Sequence, residues 1–258
     1  IDTRGRLSYH AEPWHSPRRG RRPSCARFGS VGPDDFFCMK PFAESEFAVR
    51  LLIASTNPGK YREMKELLHD LPVEVESLAD YPNAPEVEED GDTFEQNARK
   101  KAVEMARCTR SYAVADDSGL CVDALDGAPG VRSARFAGPG ASDRELCKKL
   151  LRHMRRVRDG KRQARFECHL AFADADGRIR LESHGTCEGT ITRQRRGGRG
   201  FGYDPVFLYP PAGKTFAQMM PEEKNKFSHR GKAMRKFREK LREFIENNLQ
   251  EDTEGASP

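Results

Sequence analysis

The stretch Asp116-Asp117-Ser118-Gly119 constrains this chain more than any other, because two adjacent carboxylates close the apolar run Tyr112 to Ala115 and lead into a glycine. Side chains of a strand alternate faces, so of two neighbouring aspartates at a strand end one points into a given cleft while the other braces the turn. One working carboxylate and one supporting carboxylate are expected. A hard oxygen donor of this kind suits Mg2+, which keeps several waters and is held by one or two carboxylates plus substrate phosphates. An Asx turn without any metal accounts for the tetrapeptide taken alone. Its neighbours in the sequence favour the metal.

Ser55-Thr56-Asn57-Pro58-Gly59-Lys60 lies between the apolar run Leu51 to Ala54 and a helical pattern carrying Met64, Leu67, Leu68 and Leu71. This reads as strand, tight loop and helix start, where free backbone N–H groups, the helix dipole and Lys60 would attract an anion. The spacing is not that of a P-loop. The acidic segment Glu86 to Asp92 precedes a helix with Phe94, Ala98, Ala102, Met105 and Ala106 on one face and Thr93 as N-cap. Its acids either compensate the helix dipole or bring a second carboxylate to Asp117. In Gly200-Phe201-Gly202-Tyr203-Asp204 the aromatic ring between two glycines suits stacking on a flat ligand. Lys224 and Ser228-His229-Arg230 stand at the start of a last amphipathic helix with Met234, Phe237, Leu241, Phe244 and Ile245 as its stripe, and read as phosphate and base-edge contacts.

These motifs, in this order, resemble the inosine triphosphate pyrophosphatase family, the Ham1/RdgB-like noncanonical purine nucleoside triphosphate pyrophosphatases. The likeness runs from about Arg50 to about Leu241, with Gly127-Ala128-Pro129-Gly130 and Ser133-Ala134-Arg135-Phe136 as a further signature. It implies hydrolysis between the α and β phosphates of ITP, dITP or XTP, giving the monophosphate and pyrophosphate. It further implies a homodimer, and two lobes around a long substrate cleft. By the same resemblance Asp117 is proton acceptor and Mg2+ ligand together with Glu88 or Glu89, and Lys60 is catalytic. Ser55, Thr56, Asn57, Pro58, Gly59, Lys60, Ser118 and Lys224 would hold the phosphates and sugar, while Phe201, Gly202, Tyr203, Asp204, His229 and Arg230 would form the base pocket.

A chain of 258 residues is long enough for one substantial core, and no apolar run approaches the ~20 residues that span a bilayer. Seven cysteines without Cys-x-x-Cys pairs suggest reduced thiols in a cytoplasmic setting. The net charge of +5 is unevenly placed. Arg4, Arg6, Arg18, Arg19, Arg21, Arg22 and Arg27 fall in a segment rich in Pro, Gly and Ser, so 1–47 is expected to be a disordered basic extension, 48–250 the catalytic domain and 251–258 a polar tail. The extension, whose first Met is Met39, is either a true basic arm or sequence foreign to the domain. Arg193 to Arg199 is either a steering surface for a polyanion or a mobile loop.

Strands are expected at Arg50–Ser55, Val73–Leu78, Tyr112–Asp116 and Leu120–Ala124, then a hairpin of Ala164–Asp174 and Arg178–Thr192. The fold class is α/β, with a mixed central sheet flanked by helices. Two rival functions remain: a pyrophosphatase for pyrimidine or otherwise modified nucleotides, and a basic nucleic-acid-binding module in which Arg4 to Arg27 and Arg193 to Arg199 do the work. The second leaves Asp116-Asp117 and Phe201 without a purpose, so nucleic acid is not expected as a partner.

Overall fold

The computed structural model describes the backbone of residues 49–254 and the side chains of 49–248. The expected N-terminal extension 1–47 lies outside the described residues. Seven strands form one mixed sheet in the order β2-β1-β3-β4-β5-β6-β7. Strand β1 (Val49–Ile53) pairs in parallel with β2 (Val73–Ser77) and with β3 (Tyr112–Val122). From β3 onward every pairing is antiparallel: β4 (Gln163–Ala173), β5 (Ile179–Ile191), β6 (Phe207–Tyr209) and β7 (Lys214–Thr215). Parallel neighbours need a crossover, and α1 (Pro58–Leu68) supplies it between β1 and β2.

Helices cover both faces. On one, α1 and α5 (His229–Glu254) bury Met64, Leu68, Met234, Phe237 and Leu241 against Leu51, Ile53, Val114 and Phe172. On the other, α2 (Phe94–Thr109) lays Ala98, Ala102, Met105 and Ala106 on Leu52, Ala113, Ala115 and Ala171, where small side chains let helix and sheet approach closely. A third apolar cluster gathers where β3 ends and β4 begins: α3 (Asp143–His153) packs Leu146, Cys147 and Leu150 with Leu120, Val122, Phe166, Phe207 and Phe216. A cavity of about 1160 Å3 is lined from this region by Leu146, Phe166 and Tyr203 and from the α2 side by Ala54 and Met105.

One expectation needs correction. Asp116 to Gly119 is no turn, since β3 runs unbroken from Tyr112 to Val122 with Asp117 opposite His169 and Gly119 opposite Glu167. The pairing with β4 overrides local turn chemistry. Gly119 is required for close approach instead, because a Cβ there would lie 2.5 Å from both Gly130 O and Ser133 Oγ. The last helix, α5, runs to Glu254.

Candidate active site

The alternation of β3 divides the two aspartates. Asp116 turns to the α1/α5 face, where it is buried with Lys60 Nζ 3.1 Å from Oδ1 and Arg230 Nε and Nη2 donating to Oδ2 at 3.2 and 3.0 Å. Burial alone would raise its pKa, but the charges of Lys60, Arg230 and Lys101 outweigh that and hold the carboxyl far below the usual range. Asp117 turns the other way and lines the cavity. Its Oδ1 accepts from Ser118 N at 2.9 Å and its Oδ2 from Asn97 Nδ2 at 2.9 Å. Burial pushes its pKa up and the nearby Glu89 adds to this, with Lys101 and Lys60 opposing. The two aspartates are thus distinct in geometry and in electrostatics.

Asn97, which sequence reasoning did not single out, is fixed from α2. Its Oδ1 accepts from Gly91 N at 2.8 Å, so the amide ties the acidic segment to Asp117. Lys101 was missed as well: its Nζ donates to Glu89 Oε1 at 2.8 Å and to Asp116 O at 2.6 Å. Burial raises the Glu89 pKa, but Lys101 outweighs it and keeps the carboxyl ionised. Glu88 is exposed at the cavity edge. Among the described residues no cluster of three or more His, Cys, Asp and Glu gathers to hold a metal. Two cavity-facing carboxylates near each other, one with a raised pKa, nevertheless fit a hard divalent ion that takes the rest of its ligands from water and phosphate.

In the loop before α1 the backbone differs from expectation. Asn57 Oδ1 accepts from Gly59 N at 2.8 Å and Lys60 N at 3.1 Å, so the N-cap takes helix N–H groups expected to be free for an anion. Ser55, Thr56, Asn57 and Lys60 line the cavity, while Pro58 and Gly59 do not. Gly59 instead lies under Phe201: a Cβ there would fall 2.5 Å from the ring.

The Phe201 corner is a buried ionic network. Lys224 Nζ, 4.7 Å from the Phe201 ring centre, donates to Asp204 Oδ2 at 2.7 Å and Glu63 Oε1 at 2.8 Å. Arg230 Nη1 donates to Glu63 Oε2 at 2.6 Å, and its Nη2 also donates to Ser118 Oγ at 2.8 Å. Lys224 and Arg230, expected as ligand contacts, commit most of their donors to Asp204, Glu63, Asp116 and Ser118. Glu63 went unnoticed in the sequence because nothing local marks a helix glutamate as the partner of residues 161 and 167 positions away. Tyr203 is core, donating its hydroxyl to Ser133 O at 2.9 Å. Phe201 and Gly202 line the cavity. So does His229, stacked on Phe166 at 4.6 Å with its Nδ1 lacking a partner among the described residues. Burial, then Arg230 and Lys224, press its pKa well down and keep the imidazole neutral.

The sequence model of the Ham1 family matches residues 51–240. The chain belongs to the Ham1 family. A Bacillus anthracis protein named dITP/XTP pyrophosphatase is 47% identical over 197 residues, covering 76% of this chain and 98% of the relative. A Syntrophobacter fumaroxidans protein of the same name is 54% identical over 184 residues, covering 71% and 78%. Among solved structures, a HAM1 protein from Coxiella burnetii superposes with TM-score 0.70 at 41% identity, covering 76% of this chain and 99% of the other. A Staphylococcus aureus Ham1 protein gives 0.66 at 37%, covering 77% and 99%. The seven-stranded mixed sheet is the architecture of this Ham1 chain and agrees with these neighbours.

Proposed function

We propose that this Ham1-family chain hydrolyses noncanonical purine nucleoside triphosphates, ITP, dITP and XTP, to the monophosphate and pyrophosphate, cleansing a cytoplasmic nucleotide pool. The observation that carries the reading is Asp117, a carboxylate of raised pKa at the cavity wall with Lys60 and Lys101 beside it. The names of the relatives supply the substrate class. Asp117 accepts the proton of the attacking water, and its upward shift makes it the stronger base of the two aspartates. Asn97 and Ser118 N hold its oxygens in place. Lys60 and Lys101 balance phosphate charge. Asp117 with Glu88 or Glu89 would hold Mg2+, which when bound neutralises phosphate charge and lowers the pKa of a bound water. The neutral His229 imidazole presents a polar atom to the base, and Phe201 presents its ring. The active form is proposed to be a homodimer.

Pyrophosphate release from ITP, XTP, dITP, ATP, dUTP and TTP tests the reading. ITP, dITP and XTP should lead by at least about tenfold in kcat/KM, as one well-placed polar contact allows. Orthophosphate as the product, or a lead for dUTP or TTP, overturns it.

A further inference from the structure

Residues 143–162 and 193–199 together hold thirteen Lys and Arg against three Asp and Glu. The first segment is α3 with the turns after it, and the second is the loop that follows β5. The two are joined in space. Arg193 Nη2 lies 2.8 Å from Asp159 Oδ1. The buried Arg162 guanidinium donates to the carbonyls of Met154 and Val157 on one side and of Ile191 and Thr192 on the other.

Three observations set this surface apart. The loop backbone is pinned: Arg196 N donates to Pro205 O at 2.8 Å, Arg199 N to Ala217 O at 3.1 Å, and Thr215 Oγ1 to Arg196 O at 2.8 Å, while the side chains of Arg195, Arg196 and Arg199 stand exposed. The cations also lack counter-charges. Elsewhere Arg99 pairs with Glu182, Arg165 with Glu167 and Arg180 with Asp174, whereas of the exposed cations in these two segments only Arg193 makes a salt bridge among the described residues. Finally, Arg144, Lys148 and Arg152 are four residues apart on α3, one above another over roughly 12 Å of helix, on the side away from its buried Leu146, Cys147 and Leu150.

Like charges gathered without acidic neighbours raise the local positive potential, so such a surface attracts an anionic partner. A row of cations along a helix, with further cations on a pinned loop of the same region, suits a chain of phosphates better than a single triphosphate. Insertion between lipid chains or stacking on bases would need exposed apolar groups, and Met220, which stands exposed, lies outside both segments. We propose that this patch binds the phosphate backbone of a nucleic acid strand without reading its bases, holding the enzyme on the polymer while the cavity stays open to nucleotides. This reverses the expectation drawn from the sequence that nucleic acid is no partner, and it leaves the enzymatic reading in place.

The test is fluorescence anisotropy of the full chain with a labelled oligothymidylate of about twenty nucleotides over a range of salt concentrations. The wild type should bind, and R195Q/R196Q/R199Q should bind about tenfold more weakly with a log K against log salt slope shallower by roughly 2, the loss of three phosphate contacts. K148Q/R152Q on α3 should weaken binding too. Both variants should retain dITP turnover, which shows that they are folded. A third variant with Arg4, Arg6, Arg18, Arg19, Arg21, Arg22 and Arg27 changed to Gln should keep most of the affinity. The proposal is overturned if the wild type fails to bind at low salt, if the loss is confined to the third variant, if both patch variants bind like the wild type, or if phosphatidylserine vesicles are bound and the oligonucleotide is not.

Discussion

The two neighbouring aspartates should respond in opposite ways to the same change. Asp117→Asn removes the proposed proton acceptor and should cut dITP turnover by a factor of about 100 or more, with the melting temperature within a few degrees of wild type. Near-normal turnover would remove Asp117 from the mechanism. Asp116→Asn leaves Arg230 and Lys60 facing a neutral amide in a buried setting, and should destabilise by about 3–5 kcal/mol in chemical denaturation. The pH dependence follows from the signs. Despite burial, Lys60 and Arg230 hold the Asp116 pKa below its unfolded value of about 4, so the folded chain binds this proton more weakly. Its contribution to stability is therefore whole above about pH 5 and falls away as acid titrates the unfolded chain. Denaturation midpoints of Asp116→Asn should decline less between about pH 5 and 3 than those of the wild type. Asp117 has the reverse sign, its pKa being raised chiefly by burial, so the acid limb of kcat/KM should lie above that of an unperturbed aspartate.

At the scale of elements, β5 meets β6 at Thr190 and Ile191, and among the described residues that same edge has no strand partner from Glu182 to Thr186. Helix α5 covers it with Lys232, Lys236 and Lys240, which donate at 2.8, 3.0 and 2.7 Å to the carbonyls of Thr186, His184 and Glu182. Four-residue steps on the helix thus match two-residue steps on the strand. Replacing all three lysines with Ala should lower the melting temperature by only a few degrees, since two of them are exposed, yet promote self-association visible in light scattering, because an open edge recruits other strands. Much at this scale was legible in the sequence. The helix stripe Phe94, Ala98, Ala102, Met105 and Ala106, the Thr93 cap and the hairpin about Asp174 to Gly177 depend on periodicity and local turn chemistry. The unbroken course of β3 was not legible, because the Asp-Asp-Ser-Gly signal is local while the pairing that overrides it comes from residues some fifty positions on. The same limit hid Glu63, Asn97 and Lys101, whose partners are chosen by the fold. It also hid the ionic partners of Arg230, which lines the cavity while its guanidinium donates to Asp116 and Glu63.

For the whole molecule, the Bacillus anthracis relative is 98% covered by a 197-residue match that takes in 76% of this chain. A chain beginning at Met39 is therefore expected to fold and to hydrolyse dITP like the full one, as judged by its thermal melt and pyrophosphate release. Insolubility would move the proposed domain boundary toward the N-terminus. Metal dependence is tested on the same preparation: EDTA should abolish turnover, Mg2+ restore it, and Ca2+, which is larger and tolerates looser geometry, support it poorly. The course of β3 has a consequence for how such a chain can change over time. The duties of Asp116 and Asp117 are assigned by parity alone, odd positions to one side of the sheet and even positions to the other. Loss of a single residue between Tyr112 and Asp116 would exchange the two, aiming the brace at the nucleotide and the base at Arg230. Drift in this strand can proceed by substitution, whereas length variation must be confined to the segments on either side.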